Sequence, residues 1–431
     1  MADEYAGLQP FTTRLHSLAR AVKRNLEDRF VTGTFKPPAG TGTWLPSGYV
    51  GSGGDGVVGL WCQTDSTTNR IVDHMVVKQV TPGQATYDDP GHWKNDEIGG
   101  TPLEFDNAIR LFAELASTGQ GLEKYITRTL GFSPPNNAKF IYKLYFEYCA
   151  YGTIYDIVRA QRAATKKVMG LKVSISVPEP FIWYFVRTMI RVAVSMESIG
   201  MVHKDLQAGN VLFDRPDSHH FAIYPTPKMA DFGNSRFRDL QAGTEIDRED
   251  PLDGCCQPFA PPELSTDDDG DWRVDSSKEP EVQWVTAKTN IWQIGMLALC
   301  LMRGQAPILE CRNQGKPKEQ LNFAQKPEDG MTTIETRKHN RNDQFFQFSE
   351  ELHDLVDNML EFKPSARPSP SQVLQTIDNV FAQHPDLVKN MDTFIPTGEL
   401  SAMNKHEDFL YVMARANEYR VGKDFPGFKE R

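Results

Sequence analysis

The stretch from His203 to Gly233 constrains this chain more than any other. It opens with His203-Lys204-Asp205-Leu206-Gln207-Ala208-Gly209-Asn210 and closes with Asp231-Phe232-Gly233. The residues between have room for the short strands that would bring the two ends together. Asp205 offers a carboxylate that can orient an attacking hydroxyl and accept its proton. Asn210 and Asp231 offer the hard oxygen donors that magnesium prefers beside nucleotide phosphates. An Asp with an Asn five residues on is common by itself; the same order with a following Asp-Phe-Gly is rarely accidental.

The 431 residues, 39% of them hydrophobic, suffice for one large bilobal unit or two to three ordinary domains. A net charge of −10 argues against general nucleic-acid binding. Apart from the neighbours Cys255 and Cys256 the six cysteines are scattered, without C-x-x-C metal spacing. That usage fits reduced thiols and an intracellular protein, cytoplasmic or nuclear. Met1-Ala2-Asp3 lacks the pattern of a signal peptide, and Ala2 excludes N-myristoylation. The longest strongly apolar stretch, Ile291 to Met302, is too short to span a bilayer. No repeat or low-complexity tract is present.

Four regions follow from the pattern. Residues 1–43 are an N-terminal extension in which Phe11, Leu15, Leu18, Val22 and Leu26 make one helical stripe among Arg14, Arg20, Lys23, Arg24 and Arg29. Such a basic amphipathic helix can bind a membrane surface, dock a partner or pack on the neighbouring lobe. The run from Pro37 to Thr43 reads as a linker. Residues 44–149 are strand-like around one helix, which starts at Thr101-Pro102-Leu103-Glu104 with capping-box chemistry and runs to about Ser117. Phe140 to Tyr148 is a further strand. Residues 150–385 turn helical. Glu179 to Ile199 is amphipathic, with Trp183, Phe185, Met189, Val192 and Met196 on its apolar side, and residues 289–303 suit full burial. Residues 386–431 are a polar extension with one more helix, about Lys405 to Tyr419. A β-rich part followed by an α-rich part predicts an α+β fold of two lobes with a cleft between them.

From His203 to Gly233 the chain resembles the eukaryotic protein kinase family, and other motifs in the family's order extend the resemblance over roughly residues 48 to 380. Gly51-Ser52-Gly53-Gly54-Asp55-Gly56-Val57-Val58 fits a glycine-rich phosphate loop, weak alone because ordinary hairpins are also Gly-rich. No helix opens at Gly56, which disfavours a dinucleotide-binding turn. Met75-Val76-Val77-Lys78 resembles the family's lysine strand, and Phe146-Glu147-Tyr148-Cys149 its hinge. Ala260-Pro261-Pro262-Glu263, Ile291-Trp292-Gln293-Ile294-Gly295 and Phe362 to Pro368, with Arg367, resemble motifs of its larger lobe.

The resemblance implies a bilobal protein-kinase-like fold, a small β-rich lobe and a larger α-helical lobe, with ATP and Mg²⁺ as cofactors and a protein as substrate. Asp205 would be the catalytic carboxylate, and Asn210 and Asp231 the metal ligands. Lys78 would pair the phosphates. Gly51, Ser52, Gly53, Gly54, Asp55, Gly56 and Val58 would cover the nucleotide, and backbone groups at Glu147 and Cys149 would meet the adenine edge. Glu263 and Arg367 would form a buried pair, and His203 and Phe232 would stack in a buried spine. The family also pairs the lysine with a glutamate. Aligning the helix by its apolar pattern puts Ala108 in that slot, and Glu104, one turn earlier on the same face, becomes the expected partner, the alternative being that Lys78 has no carboxylate partner. Asp106 points elsewhere around the helix.

This chain also departs from the family. Lys204 stands for an Arg, Gln207 for a Lys that meets the γ-phosphate, Cys256 for a Thr, and Asn290 for the Asp that anchors the catalytic loop. Gln207 and Gly209 are not the Arg of tyrosine-specific members, so Ser/Thr specificity is the default. Acidic residues Glu245, Asp247, Glu249, Asp250 and Asp253, then Asp267, Asp268, Asp269 and Asp271, suggest a solvated loop, a preference for basic substrates, or a carboxylate standing in for an activating phosphate opposite Lys204. The alternatives to an active kinase are a pseudokinase scaffold with little turnover and, less favoured, a small-molecule kinase.

Overall fold

Apolar, β-branched and aromatic residues fill the segment 43–80, which folds into three antiparallel strands, the third with Met75 and Val77 buried on one face. These are β1 (Thr43–Ser52), β2 (Gly56–Thr64) and β3 (Ile71–Val80). With β4 (Thr129–Phe132) and β5 (Tyr142–Glu147) they form an antiparallel five-stranded sheet in the order β1-β2-β3-β5-β4. A four-residue helix, α1 (Gln84–Tyr87), and then α2 (Leu103–Ser117) follow β3. The computed structural model describes residues 42–52, 56–163, 166–168, 171–173, 177–216, 224–238, 246–247, 256, 259–264, 284–304, 348–385 and 421–427. The expected helices at the N-terminus and at 405–419 lie outside the described residues, as do the linker up to Thr41 and the acidic residues named above other than Asp247.

The remaining elements are mostly helical: α3 (Ile154–Ala163), α4 (Glu179–Ser198), α5 (Ala287–Arg303), α6 (Glu350–Met359) and α7 (Pro370–Gln383). Short antiparallel pairs lie among them: β6 (Lys166–Val168) with β7 (Leu171–Val173), β8 (Met201–Val202) with β11 (Arg236–Phe237), β9 (Val211–Asp214) with β10 (Thr226–Met229), and β12 (Ile246–Asp247) with β13 (Trp284–Val285). The fold is therefore α+β, a β-sheet region followed by a helical one.

Three details depart from the sequence expectation. Helix α2 begins at Leu103, and the carbonyl of Pro102 accepts from the amides of Phe105 and Asp106, so Pro102 rather than Thr101 occupies the cap position. Helix α4 is buried on nearly every side from Phe181 to Met196, not on one stripe, because α5, α7 and β10 all pack on it. The division into compact units is not contiguous in sequence. One unit holds the residues up to Arg110, Thr127–Ala150 and the segment 421–427; the other holds Leu111–Ile126 and the residues from Tyr151 to 385. The segment 421–427 joins the sheet unit through its backbone. The Ile71 amide donates to the Lys423 carbonyl (2.8 Å), Gly422 to Ile71 (2.7 Å) and Phe425 to Asn69 (3.0 Å). The Phe425 ring packs on Leu60, Cys62 and Ile71.

The helical unit is built around one buried ion pair. Arg367 and Glu263 meet through two bonds of 2.7 and 2.9 Å, with both side chains fully buried. Two charges in an apolar interior are tolerable only if every remaining polar atom is satisfied. Arg367 also donates to the carbonyls of Glu361 and Phe362 and lies 4.7 Å from the Trp292 ring centre, and Thr289 donates to Glu263 (2.9 Å). The pair thereby ties the 262–264 turn to α5 and to the segment before α7. Arg367→Ala leaves Glu263 buried and unpaired, at a cost of about 3–5 kcal/mol. Thermal denaturation should show a strongly lowered melting temperature, and a shift within error would contradict this account.

Candidate active site

The loop between β8 and β9 carries His203 to Asn210, and it is held from below by one helix. Helix α5 starts in a capping box between Thr286 and Thr289, which fixes its first turn, and it projects Asn290 and Gln293, three residues apart, from one face. Asn290 Oδ1 accepts the His203 amide (2.9 Å), and its Nδ2 faces the Met201 carbonyl (3.4 Å). Gln293 Nε2 donates to the Lys204 carbonyl (2.8 Å), and its Oε1 accepts the Leu206 amide (3.3 Å). The two amide side chains thus hold the backbone on both sides of Asp205. Lys204 sits at φ 70°, a left-handed conformation that strains a residue with a Cβ. The Gln293 bond to its carbonyl helps hold it there.

Asp205 is buried, and three donors converge on its carboxylate. They are the Cys256 backbone amide to Oδ1 (2.9 Å), Asn210 Nδ2 to Oδ2 (3.0 Å) and Gln207 Nε2 to Oδ2 (3.2 Å). Burial pushes the carboxyl up to about 6, with the Cys256 amide opposing it, the Asp231 charge adding to it, and Gln207 and Asn210 opposing. A carboxyl poised there is ionised at neutral pH yet basic enough to take a proton. Gln207 and Cys256, both departures from the family pattern, converge on the same carboxylate. Cys256 contributes its backbone amide.

His203 is fully buried, and that burial pushes it down to about 4, so it is neutral at physiological pH. Its Nε2 faces the Ala230 carbonyl (3.1 Å), and its Nδ1 faces the Asp205 amide (3.3 Å). A carbonyl can only accept and an amide only donate, which assigns the proton to Nε2. The ring also packs against Phe232, 5.1 Å between centres.

The β9–β10 register sets Val211 opposite Met229, and the Ala230 amide donates to the Asn210 carbonyl (2.9 Å). Asn210 and Asp231 are therefore carried at the same end of one strand pair. Both Nδ2 bonds of Asn210 go to Asp205, one to the carbonyl (2.8 Å) and one to the carboxylate, which turns Oδ1 the other way. An amide oxygen and a carboxylate suit magnesium, which takes one or two protein oxygens and completes its shell with phosphate and water. The residues present fit that ion. Asp231 adopts φ 65°, a second strained position beside the chemistry.

In the sheet unit, Lys78 on β3 lies opposite Val58 on β2 and Leu144 on β5. Its Nζ meets both Glu104 oxygens, at 2.9 and 3.1 Å, so the ion pair expected between β3 and α2 is formed. Asp106 pairs with Lys94 instead. The glycine-rich hairpin closes with Gly51 opposite Val58 and Ser52 opposite Val57. A Cβ on Gly56 would lie 2.4 Å from the Gln79 carbonyl oxygen, so only glycine fits against β3, whereas a Cβ on Gly51 would meet open space. Gly53, Gly54 and Asp55 lie outside the described residues. Glu147 ends β5 with its amide on the Arg128 carbonyl and its carboxylate on the Arg128 amide (2.7 Å). Cys149 is buried just beyond.

Gln293 lies within the Ile291–Gly295 motif, but reading the sequence for motifs gives it no role. Its signal is present: a glutamine in an otherwise apolar helix, one turn from Asn290, is a buried polar group that must find partners. Gln293→Leu keeps the volume but leaves the Lys204 carbonyl and Leu206 amide without those partners, at roughly 1–3 kcal/mol for a buried group so stripped. Denaturant unfolding should show that loss, with amide exchange faster at Leu206. Unchanged stability and exchange would show that the glutamine does not hold the loop.

Comparison with known proteins agrees with this geometry. The family model for the protein kinase domain matches residues 106–377, more than half of the chain. The chain is 23% identical over 338 residues to the serine/threonine-protein kinase BCK1/SLK1/SSP31 of Saccharomyces cerevisiae, covering 77% of this chain and 18% of that protein. It is 26% identical over 243 residues to the serine/threonine-protein kinase fray2 of Dictyostelium discoideum, covering 55% of this chain and 20% of that protein. The chain thus spans about a fifth of the length of these relatives. With a family match of this extent laid over the loop, the strand pair and the Glu263–Arg367 ion pair described above, the chain belongs to the protein kinase family.

Proposed function

We propose that this chain is an ATP-dependent protein kinase that transfers the γ-phosphoryl group to a serine or threonine hydroxyl of a protein. The observation that carries the proposal is the Asp205 carboxylate, fixed by three donors on a loop held from both sides by α5. Asp205 orients the attacking hydroxyl and accepts its proton as the bond to phosphorus forms. Lys78, ion-paired with Glu104, positions the nucleotide phosphates, and the hairpin from Gly51 to Gly56 with Val58 covers them. The Glu147 carbonyl and the Cys149 backbone meet the adenine edge. Asn210 and Asp231 would hold magnesium, whose charge would offset that on the phosphate oxygens. Serine/threonine specificity draws on the two relatives, both serine/threonine-protein kinases, and on the absence of Arg at positions 207 and 209. The acidic residues between Glu245 and Asp271 favour basic protein substrates, and the scattered cysteines favour an intracellular setting. Among the described residues no helix is long and apolar enough to cross a membrane.

One observation favours a second reading, a nucleotide-binding scaffold with little turnover. Gln207 sets a neutral amide against Asp205 where the family carries a cation that contacts the γ-phosphate. Radiolabelled ATP offered with a peptide library separates the two readings. Wild type should label hydroxyl-bearing peptides and Asp205→Asn should not, while nucleotide affinity stays nearly unchanged, because the carboxylate acts in the transition state more than in binding. Equal labelling by both proteins would remove the kinase assignment.

Gln207→Lys should not raise the rate. Cys256 presents a backbone amide and no hydroxyl with which a lysine could complete the family's interaction. A large gain in rate would show that the native site is impaired and would favour the scaffold.

A further inference from the structure

Residues 81–102, which connect β3 to α2, are pinned at each end of the ion pair they separate. Trp93 is buried, and its indole N–H donates to the Tyr87 carbonyl (2.8 Å). Its ring meets Tyr87 edge-on at 4.8 Å and tilts against Tyr142 of β5 at 5.4 Å. Tyr142 lies opposite Val80, two residues along β3 from Lys78. Tyr87 also donates to Asn137 Oδ1 (2.6 Å), and His92 meets the Tyr142 hydroxyl (2.7 Å). One end of the connection is thereby fastened to the sheet that carries Lys78.

The other end is fastened to the helix that carries Glu104. Trp93 forms an antiparallel bridge with Pro102, the cap residue of α2, and the Lys94 amide donates to the Thr101 carbonyl (2.9 Å). Lys94 Nζ pairs with Asp106 in the first turn of α2. Between these anchors the chain reverses through Asn95 and Asp96, at φ 54° and 60°. Left-handed backbone at two successive non-glycine residues persists only where the surroundings over-determine it. Phe105, next to Glu104, tilts against Phe132 of β4 at 4.9 Å. A closed mechanical circuit results: Lys78, Val80, Tyr142, Trp93, Pro102, Glu104 and back to Lys78.

We propose that Trp93 and Lys94 are positioning residues, clamping the first turn of α2 so that Glu104 is held against Lys78 without help from any other chain. The consequence for nucleotide binding rests on the reading of Lys78 as the phosphate-positioning lysine; the clamp itself does not.

The test uses the full chain without nucleotide and reads the rate at which an amine-reactive acetyl ester modifies Lys78, followed by peptide mass spectrometry. A lysine deprived of its carboxylate loses its proton more readily and acylates faster. Lys94→Asp and Asp106→Lys should each raise the rate several-fold, towards that of Glu104→Gln, and the double exchange Lys94→Asp/Asp106→Lys should return it to the wild-type value. The single variants should also raise the KM for ATP several-fold with a smaller change in kcat, again recovered in the double. Single variants acetylated at the wild-type rate, with Glu104→Gln fast, would overturn the clamp. Faster acetylation with an unchanged KM for ATP would support the clamp and remove Lys78 from the nucleotide site instead.

Discussion

Two neutral amides grip the loop on which the whole site depends. Asn290 and Gln293 leave α5 one turn apart and bind the backbone at Met201, His203, Lys204 and Leu206, so the residue between them, Asp205, has little freedom. A carboxylate anchor would make stronger, charge-assisted bonds. Asn290 lacks that charge, and Gln293 adds a donor and an acceptor of its own. The strained backbone at Lys204 persists because its carbonyl is one of the groups held. Everything downstream, from the Cys256 amide on Asp205 to the direction in which Asn210 turns its oxygen, presupposes that the loop does not move.

The two ion pairs differ in kind. Glu263 and Arg367 are sealed from water and meet each other, backbone carbonyls and the Trp292 face. Their role is architectural, joining the 262–264 turn, α5 and the segment before α7. Lys78 is a fifth exposed along its side chain, and its partner is nearly buried. That arrangement suits the role proposed for Lys78, which is to hold its direction and still meet phosphates. Each pair is placed where loss of one partner would strand the other.

Much of this was legible in the sequence because short motifs report local chemistry. The order His203, Asp205, Asn210, Asp231 marks a loop and a strand pair, and the hydrophobic run Met75-Val76-Val77 marks the strand that carries Lys78. Glu104 was reachable by helical geometry, since residues four apart share a face. What stayed hidden depends on contacts far apart in the chain. Gln293 shows its role only once α5 lies under the 203–210 loop. The return of Phe425 to the sheet unit, and the burial of α4 on nearly every side, follow from packing that no local pattern records. The Thr101 signal misplaced the start of α2 by a residue because the bridge between Trp93 and Pro102 fixes where the helix begins.

The measurement that tests the account most directly is the pH dependence of phosphoryl transfer in a single turnover, with saturating ATP, magnesium and a peptide labelled by the wild-type protein. Asp205 accepts a proton only when ionised, and burial holds its carboxyl up at about 6. The account predicts a rate that is level above neutrality and falls on acidification as Asp205 takes up a proton, with magnesium on Asn210 and Asp231 drawing that fall below the metal-free value. A rate that stays level down through the ordinary carboxylate range, about pH 4, would contradict it, because no carboxylate would then be taking the proton.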